Sequence, residues 1–302
     1  MTVCRMIAVT ALLAACDRGA QAPPPGPFSG VQALEYAKQQ LAFGPRVPGT
    51  DAARKAGDWI TDMMRARADT VVVQRWTHVT AKGDSLPLRN ILARWNPEAT
   101  DRILYVTHWD SRPRSESATD TAQRALPVPG ANDGASGVGL LVALGDLLKA
   151  TPPAVGVDFL FTDGEDYGEF GPPDVDVLIG ARWFAEHLPS PGYRPLFGVL
   201  WDMIGDRDLL ISKEGNSVDQ AGDVVDRVWR VATELGYGQY FSPENIGAIT
   251  DDHVPLLAKG LPVIDVIDLS FPWHHTPDDT IDKVSSVSLK IVGDVAYALL
   301  RP

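Results

Sequence analysis

The spacing of apolar residues changes period along the chain, and each change marks an element. From Gly30 to Leu41, Val31, Leu34, Ala37 and Leu41 fall on one face at helical spacing, which predicts a helix. Gly44-Pro45-Arg46-Val47-Pro48-Gly49 reads as a turn, after which Thr50 or Asp51 can cap a second helix running to about Arg67. Thr70 to Val79 and Leu88 to Trp95 are rich in β-branched residues and predict strands. Arg102 to Thr107, Gly156 to Thr162, Phe197 to Trp201 and Pro262 to Ile267 are short, largely apolar runs, with a briefer strand at Leu209 to Ser212. Helical patterns at Asp133 to Lys149, Leu178 to His187, Asp219 to Leu235 and Val254 to Ala258 lie among them, and Val287 to Leu300 closes the chain. Apolar strands alternating with helices imply a largely parallel sheet covered on both faces, to which the early β-rich stretch can add antiparallel strands. The expected fold is α/β: a three-layer sandwich with a mixed, mostly parallel central sheet, forming one catalytic domain over residues 30–302.

The first thirty residues follow a different pattern. Arg5 precedes an apolar run from Met6 to Ala15, too short to span a bilayer but typical of an export signal. Leu13-Ala14-Ala15-Cys16 resembles a bacterial lipobox, in which the Cys becomes the lipidated first residue; the plain alternative is an ordinary signal peptide with an incidental Cys. Residues 1–15 are therefore expected to be a signal peptide, and residues 16–29 a lipidated Cys and proline-rich spacer. The protein is expected to be an exported lipoprotein of the periplasm or cell envelope, tied to a membrane through Cys16. The two cysteines are Cys4 and Cys16, so cleavage before Cys16 leaves no disulfide, and any zinc must be held by His and carboxylates. The formal net charge of −12 excludes nucleic acid as a natural partner. It fits acids gathered around a cation, but taken alone the charge is better read as a means of keeping the protein soluble.

Chemistry-bearing residues collect where the predicted strands end. His108 and Asp110 follow the run Tyr105-Val106-Thr107. Asp133 opens a helix within Gly130-Ala131-Asn132-Asp133. Asp163-Gly164-Glu165-Asp166 follows the next strand, Asp202 ends another, and His274-His275 comes after the last. Sites in open α/β sheets form at the carboxyl ends of strands. Taken singly, Asp133 is a helix cap, His108 a hydrogen-bonded core histidine, Asp202 a loop-amide acceptor, and Asp278 and Asp279 a cap or entry turn for the last helix. Taken together they are a cluster of mutually repelling buried acids, a conflict that a divalent cation removes. Imidazole and carboxylate without thiolate suits zinc.

In order and spacing, His108-Trp109-Asp110-Ser111, Gly130-Ala131-Asn132-Asp133, Asp163-Gly164-Glu165-Asp166, Asp202-Met203-Ile204-Gly205 and His275-Thr276-Pro277-Asp278-Asp279-Thr280 resemble the co-catalytic zinc aminopeptidases and their relatives, the animal glutaminyl cyclases, from about residue 35 onward. The resemblance implies a zinc exopeptidase-like fold and two zinc ions. His108 and Asp202 would hold one, Asp166 and His275 the other, with Asp133 bridging. It also implies Asp110 orienting His108, and Glu165 as general base and acid. A metalloaminopeptidase hydrolysing the first residue of peptides is the leading expectation.

Thr250-Asp251-Asp252-His253 and Phe271-Pro272-Trp273 resemble cyclase segments, with Asp251 in a hydrogen-bond network near Glu165. The alternative is therefore a glutaminyl-peptide cyclotransferase needing one zinc. Asp166 stands where the family usually has Glu, and Asp265 where cyclases have His. His274 and His275 both offer a ring; His275 is preferred because it abuts the Thr-Pro-Asp-Asp-Thr turn. The loop Arg112 to Pro129 is expected to be solvated. Trp109, Tyr167, Phe170, Trp201, Phe271 and Trp273 lie near the candidate ligands, with Trp201 the plainest core residue. His78, Trp183 and His187 receive no role, and Glu214-Gly215-Asn216-Ser217 gives only a slight signal as a cleft border.

Overall fold

The computed structural model describes residues 26–301. The proposed signal peptide, Cys16 and most of the spacer lie outside the described residues. Helix α1 (Gly30–Leu41) starts where the Ser29 hydroxyl accepts from the Gln32 amide at 3.2 Å. Helix α2 (Asp51–Arg65) starts where Thr50 accepts from the Ala53 amide at 3.2 Å. Each side chain satisfies a donor that the first helical turn leaves free. Strands β1 (Thr70–Val79) and β2 (Ser85–Trp95) pair antiparallel, and β2 pairs antiparallel with β4 (Gly156–Thr162). From there β3 (Arg102–His108), β5 (Phe197–Asp202) and β8 (Val263–Ile267) continue in parallel with β4, giving the order β1-β2-β4-β3-β5-β8. A two-stranded pair, β6 (Ile211–Lys213) with β7 (Phe241–Asn245), stands apart. The remaining helices are α3 (Ala135–Ala150), α4 (Ile179–Glu186), α5 (Gly215–Glu234), α6 (His253–Ala258) and α7 (Ser286–Leu299). None of the described helices is long and apolar enough to cross a membrane.

The parallel strands are buried on both faces, and their side chains alternate between two cores. Ile103, Tyr105, Phe159, Val199 and Val266 face the larger core, which packs against helices including α1, α2, α3 and α7. Leu104, Val106, Leu160, Leu200 and Val263 face the smaller one, closed by Phe184 of α4 and Leu256 of α6. The result is the expected three-layer sandwich. Helices α1 and α3 touch at Gly139, where an added Cβ would lie 2.4 Å from the Ala33 carbonyl oxygen. Only glycine allows this approach.

Two elements differ from expectation. Helix α5 begins at Gly215 rather than Asp219 and breaks at Ala221 (φ −145°, ψ 40°); its start is set by Glu214, whose carboxylate accepts from the Asn216 and Ser217 amides at 2.8 and 2.6 Å. Strand β7 carries Pro and Asn and buries only Phe241, so it has no alternating pattern to read.

Candidate metal centre

The topology gathers the candidate residues at the carboxyl ends of the four parallel strands. His108 is the last residue of β3 and Asp202 the last of β5; the acidic turn follows β4, and the loop after β8 carries His274 and His275. His108 Nε2 lies 3.0 Å from Asp133 Oδ1 and 3.1 Å from Asp202 Oδ1. On the other side of Asp133, its Oδ2 lies 3.7 Å from His275 Nε2 and 3.9 Å from His274 Nε2. His275 Nε2 is also 3.3 Å from Asp166 Oδ1. His108, Asp133, Asp166, Asp202 and His275 are thus brought together, and His274 approaches Asp133 almost as closely as His275 does.

Backbone contacts hold these groups in place. Asp279 accepts from the amides of Asn132 and Asp133 at 2.8 and 3.2 Å, so it fixes the Asp133 loop rather than capping α7, which Ser285 caps. Buried Arg46 donates to Trp109 O at 3.4 Å, to Gly130 O at 2.6 Å and to Pro129 O, joining the loops that carry His108 and Asp133. Gly164 sits at φ +70°, a left-handed turn between the acids that favours glycine. Beyond it, the Glu165 and Asp166 amides both donate to Asp110, each at 3.2 Å. Asp110 therefore fixes the acidic turn, and its Oδ1 stands 3.5 Å from His108 Nδ1. Met203 and His275 are non-glycine residues at positive φ, 45° and 57°. Such backbone persists only where surrounding contacts over-determine it.

The electrostatics are those of too many buried acids. Burial works against a charge on His108, but Asp202, Asp110 and Asp133 outweigh it and lift the imidazole well above its usual range. Burial raises Asp133 too, yet the three nearby histidines hold it well below the ordinary carboxylate value. Burial, then Asp166, Asp251 and Asp252, push Glu165 well up despite His108. Asp251 lines the same cleft and is raised by burial and by Asp202 and Asp252. Behind it Asp265 is likewise raised by burial and by Asp251, while His253 Nε2 meets Glu214 at 3.0 Å. Asp133 Oδ2 and Asp166 Oδ2 are buried without a hydrogen-bond partner among the described residues. Unsatisfied buried carboxylate oxygens beside an imidazole nitrogen are the donor set of a hard or borderline divalent cation, and they fit zinc.

The Arg112 to Pro129 loop is not simply solvated. Arg112 is 3 % exposed; its Nη1 donates to Asp166 Oδ1 at 2.7 Å and its Nε to Glu116 Oε1 at 2.5 Å. Pairing with Glu116 and Asp166 outweighs the cost of burying the guanidinium, which local sequence cannot reveal. Sequence reasoning also missed Arg46 and the Glu214–His253 pair. A cleft of about 460 Å³ opens on the centre, lined by Phe170, Met203, Ile249, Ile267 and Leu269 beside the acids. Trp201 is core and Trp109 opens on a separate cavity, while Phe271 and Trp273 form an edge-to-face pair near Met203. Trp183 stacks on Trp76 and on His187 at the surface of β1 and α4, and His78 meets Asp176 at 2.7 Å.

Comparison with known proteins bears on the fold and the family. The chain is 23% identical over 270 residues to aminopeptidase YwaD of Bacillus subtilis, covering 83% of this chain and 50% of that protein. It thus spans about half the length of that curated relative. The fold superposes on a glutaminyl cyclase from Tannerella forsythia with a TM-score of 0.86 at 36% identity, covering 91% of this chain and 99% of the other. It matches a leucine aminopeptidase precursor from Bacteroides thetaiotaomicron with a TM-score of 0.86 at 32% identity, covering 91% and 97%. The profile of peptidase family M28 matches residues 90–300. This match over most of the chain, on a fold shared with solved zinc exopeptidases and glutaminyl cyclases, makes the protein a member of peptidase family M28.

Proposed function

We propose that the chain is a glutaminyl-peptide cyclotransferase working with one zinc ion held by Asp133, Asp166 and His275. The observation that carries this is an asymmetry between the two halves of the centre. On one side, Asp133 Oδ2 and Asp166 Oδ2 are buried without partners among the described residues. On the other, His108 Nε2 sits within hydrogen-bond distance of both Asp133 and Asp202, and Asp202 also accepts from the Met203 amide at 2.9 Å. His108 Nδ1 also lacks a hydrogen-bond partner among the described residues, so the asymmetry lies in the carboxylate oxygens: Asp202 Oδ1 and Asp133 Oδ1 face His108 Nε2, while Asp133 Oδ2 and Asp166 Oδ2 have no such partner. Arg112 further offsets the charge of Asp166.

Bound zinc would polarise the side-chain carbonyl of an N-terminal glutamine. The cleft holds that residue against Phe170 and Ile249. The substrate α-amine attacks its own side-chain Cδ, forming the C–N bond of the ring. Glu165 takes a proton from that amine and hands it to the departing amide nitrogen, which leaves as ammonia. Burial raises the proton affinity of Glu165, which makes its carboxylate form a stronger acceptor for the amine proton.

Hydrolysis by a two-ion centre is the second reading. It is favoured by the His108, Asp133 and Asp202 donor atoms lying within 4.8 Å of one another, close enough for an ion of their own. A peptide beginning with Gln decides between them. Cyclisation releases ammonia and leaves the peptide otherwise whole; release of a free first residue refutes it. We propose further that the protein is exported and lipid-anchored at Cys16, and that it acts on peptides outside the cytoplasm. Cys16→Ser should abolish membrane partition, and unchanged partition would remove the anchor.

A further inference from the structure

The loop after Arg112 makes one closed circuit with the metal centre. Glu116 Oε1 lies 3.3 Å from His275 Nδ1, while His275 Nε2 faces Asp166 Oδ1 at 3.3 Å. Arg112 closes the ring, meeting Glu116 at 2.5 Å and Asp166 at 2.7 Å. The Ser117 amide donates to the His275 carbonyl at 3.2 Å, so the loop grips backbone as well as ring. Arg112 also stands 5.5 Å over the Phe170 ring, which stacks on His275 at 6.5 Å. Among the described residues His274 shows no such pairing at its other ring nitrogen: its side chain is 38 % exposed, against 12 % for His275, and the one carboxylate within 4 Å of it is Asp133.

An imidazole presents a ligand lone pair on one nitrogen when the other carries the proton, and an acceptor at the second nitrogen decides which. We propose that Glu116 and Arg112 are positioning residues for the metal centre. Glu116 accepts the Nδ1–H of His275 and turns Nε2 toward Asp133 and Asp166. Arg112 holds Glu116 and Asp166 in that arrangement. This makes His275, and not His274, the ligand. The inference rests on the metal-centre reading above but not on whether the reaction is cyclisation or hydrolysis.

Zinc affinity, measured by competition with a chromophoric chelator, tests it without reference to turnover. Partners of this kind typically change metal affinity about 10- to 100-fold. Glu116→Ala should weaken zinc binding by that amount, and Glu116→Gln, which keeps an oxygen acceptor, should recover most of the loss. His274→Ala should bind zinc like the wild type. Equal affinity of Glu116→Ala and wild type, with wild type binding zinc, overturns the proposal and leaves the metal centre standing. A wild type that takes up no zinc overturns both. Nitrogen-15 NMR of the zinc-loaded wild type gives an answer that does not depend on any variant folding. His275 should carry its proton on Nδ1 and show the metal-bound signature at Nε2; the opposite assignment overturns the proposal.

Discussion

Arg46→Met removes the guanidinium that ties two ligand-bearing loops together. Its three acceptors do not suffer equally. Trp109 O keeps the Gln40 side-chain amide at 3.0 Å, and Gly130 O keeps the Ala135 amide at 3.3 Å. Pro129 O is stranded, but it belongs to a half-buried residue that water reaches. Hydrogen bonds to charged groups contribute about 1.5–3 kcal/mol each, and two strong ones are lost here. Hydration of Pro129 O and the volume filled by Met offset part of this, leaving a destabilisation of roughly 3 kcal/mol. For a domain of about 270 residues, with an unfolding entropy of about 2.1 cal/mol/K per residue, that lowers Tm by roughly 5 °C. Burial depresses the Arg46 pKa to about 10 against the pull of Asp279, Asp110 and Asp133, so the charge itself balances acids of the site. The variant should therefore also bind zinc more weakly, because the Asp133 loop loses its tether. Thermal melts with and without zinc, together with chelator competition, measure both effects. An unchanged melt, or a lower Tm with unaltered zinc affinity, would refute the reasoning that this side chain couples fold to site.

Glu165→Gln should lower kcat by about 10²- to 10⁴-fold, the usual worth of a general base, while zinc content stays the same. Retained turnover removes Glu165 from the chemistry. Gly139→Ala should destabilise by about 1–3 kcal/mol in urea unfolding through the clash with Ala33, outweighing the better helix propensity of Ala; a stabilised variant would mean α1 and α3 do not approach as described. The zinc-induced rise in Tm should be small near about pH 5 and large near about pH 8. Burial raises Asp252 to about 7 and Asp279 to about 8. Between the ordinary carboxylate value and those values, the folded metal-free chain binds more protons than the unfolded one and loses stability as pH rises. His275, lifted to about 10 against the effect of burial by Asp166 and Glu116, acts in the same sense above its ordinary value. Zinc needs deprotonated ligands and gains affinity over the same range, so a zinc effect independent of pH would contradict this picture.

The parts of the molecule legible in the sequence share one property: local pattern and tertiary role coincide. Strands β3, β4, β5 and β8 are buried on both faces, so their apolar runs announce them. His108 and Asp202 end strands, and Asp166 follows one within a short turn, so adjacency in sequence reveals position in space. What was hidden depends on closure between distant segments. Arg46, Arg112 and Glu116 sit in polar loops whose composition suits solvent. The burial of Arg46 and Arg112, and the pairing of half-exposed Glu116, follow only when the Asp133 loop and the His275 loop come together. Asp110 shows the same limit. Its place beside His108 was readable, but its use as acceptor for the Glu165 and Asp166 amides required the left-handed turn at Gly164.

Crystals soaked with zinc and measured at the zinc absorption edge test the account most directly. One anomalous peak is predicted, bounded by Asp133, Asp166 and His275, with His108 still bonded to Asp202. Two peaks, or one peak between His108 and Asp202, would contradict it.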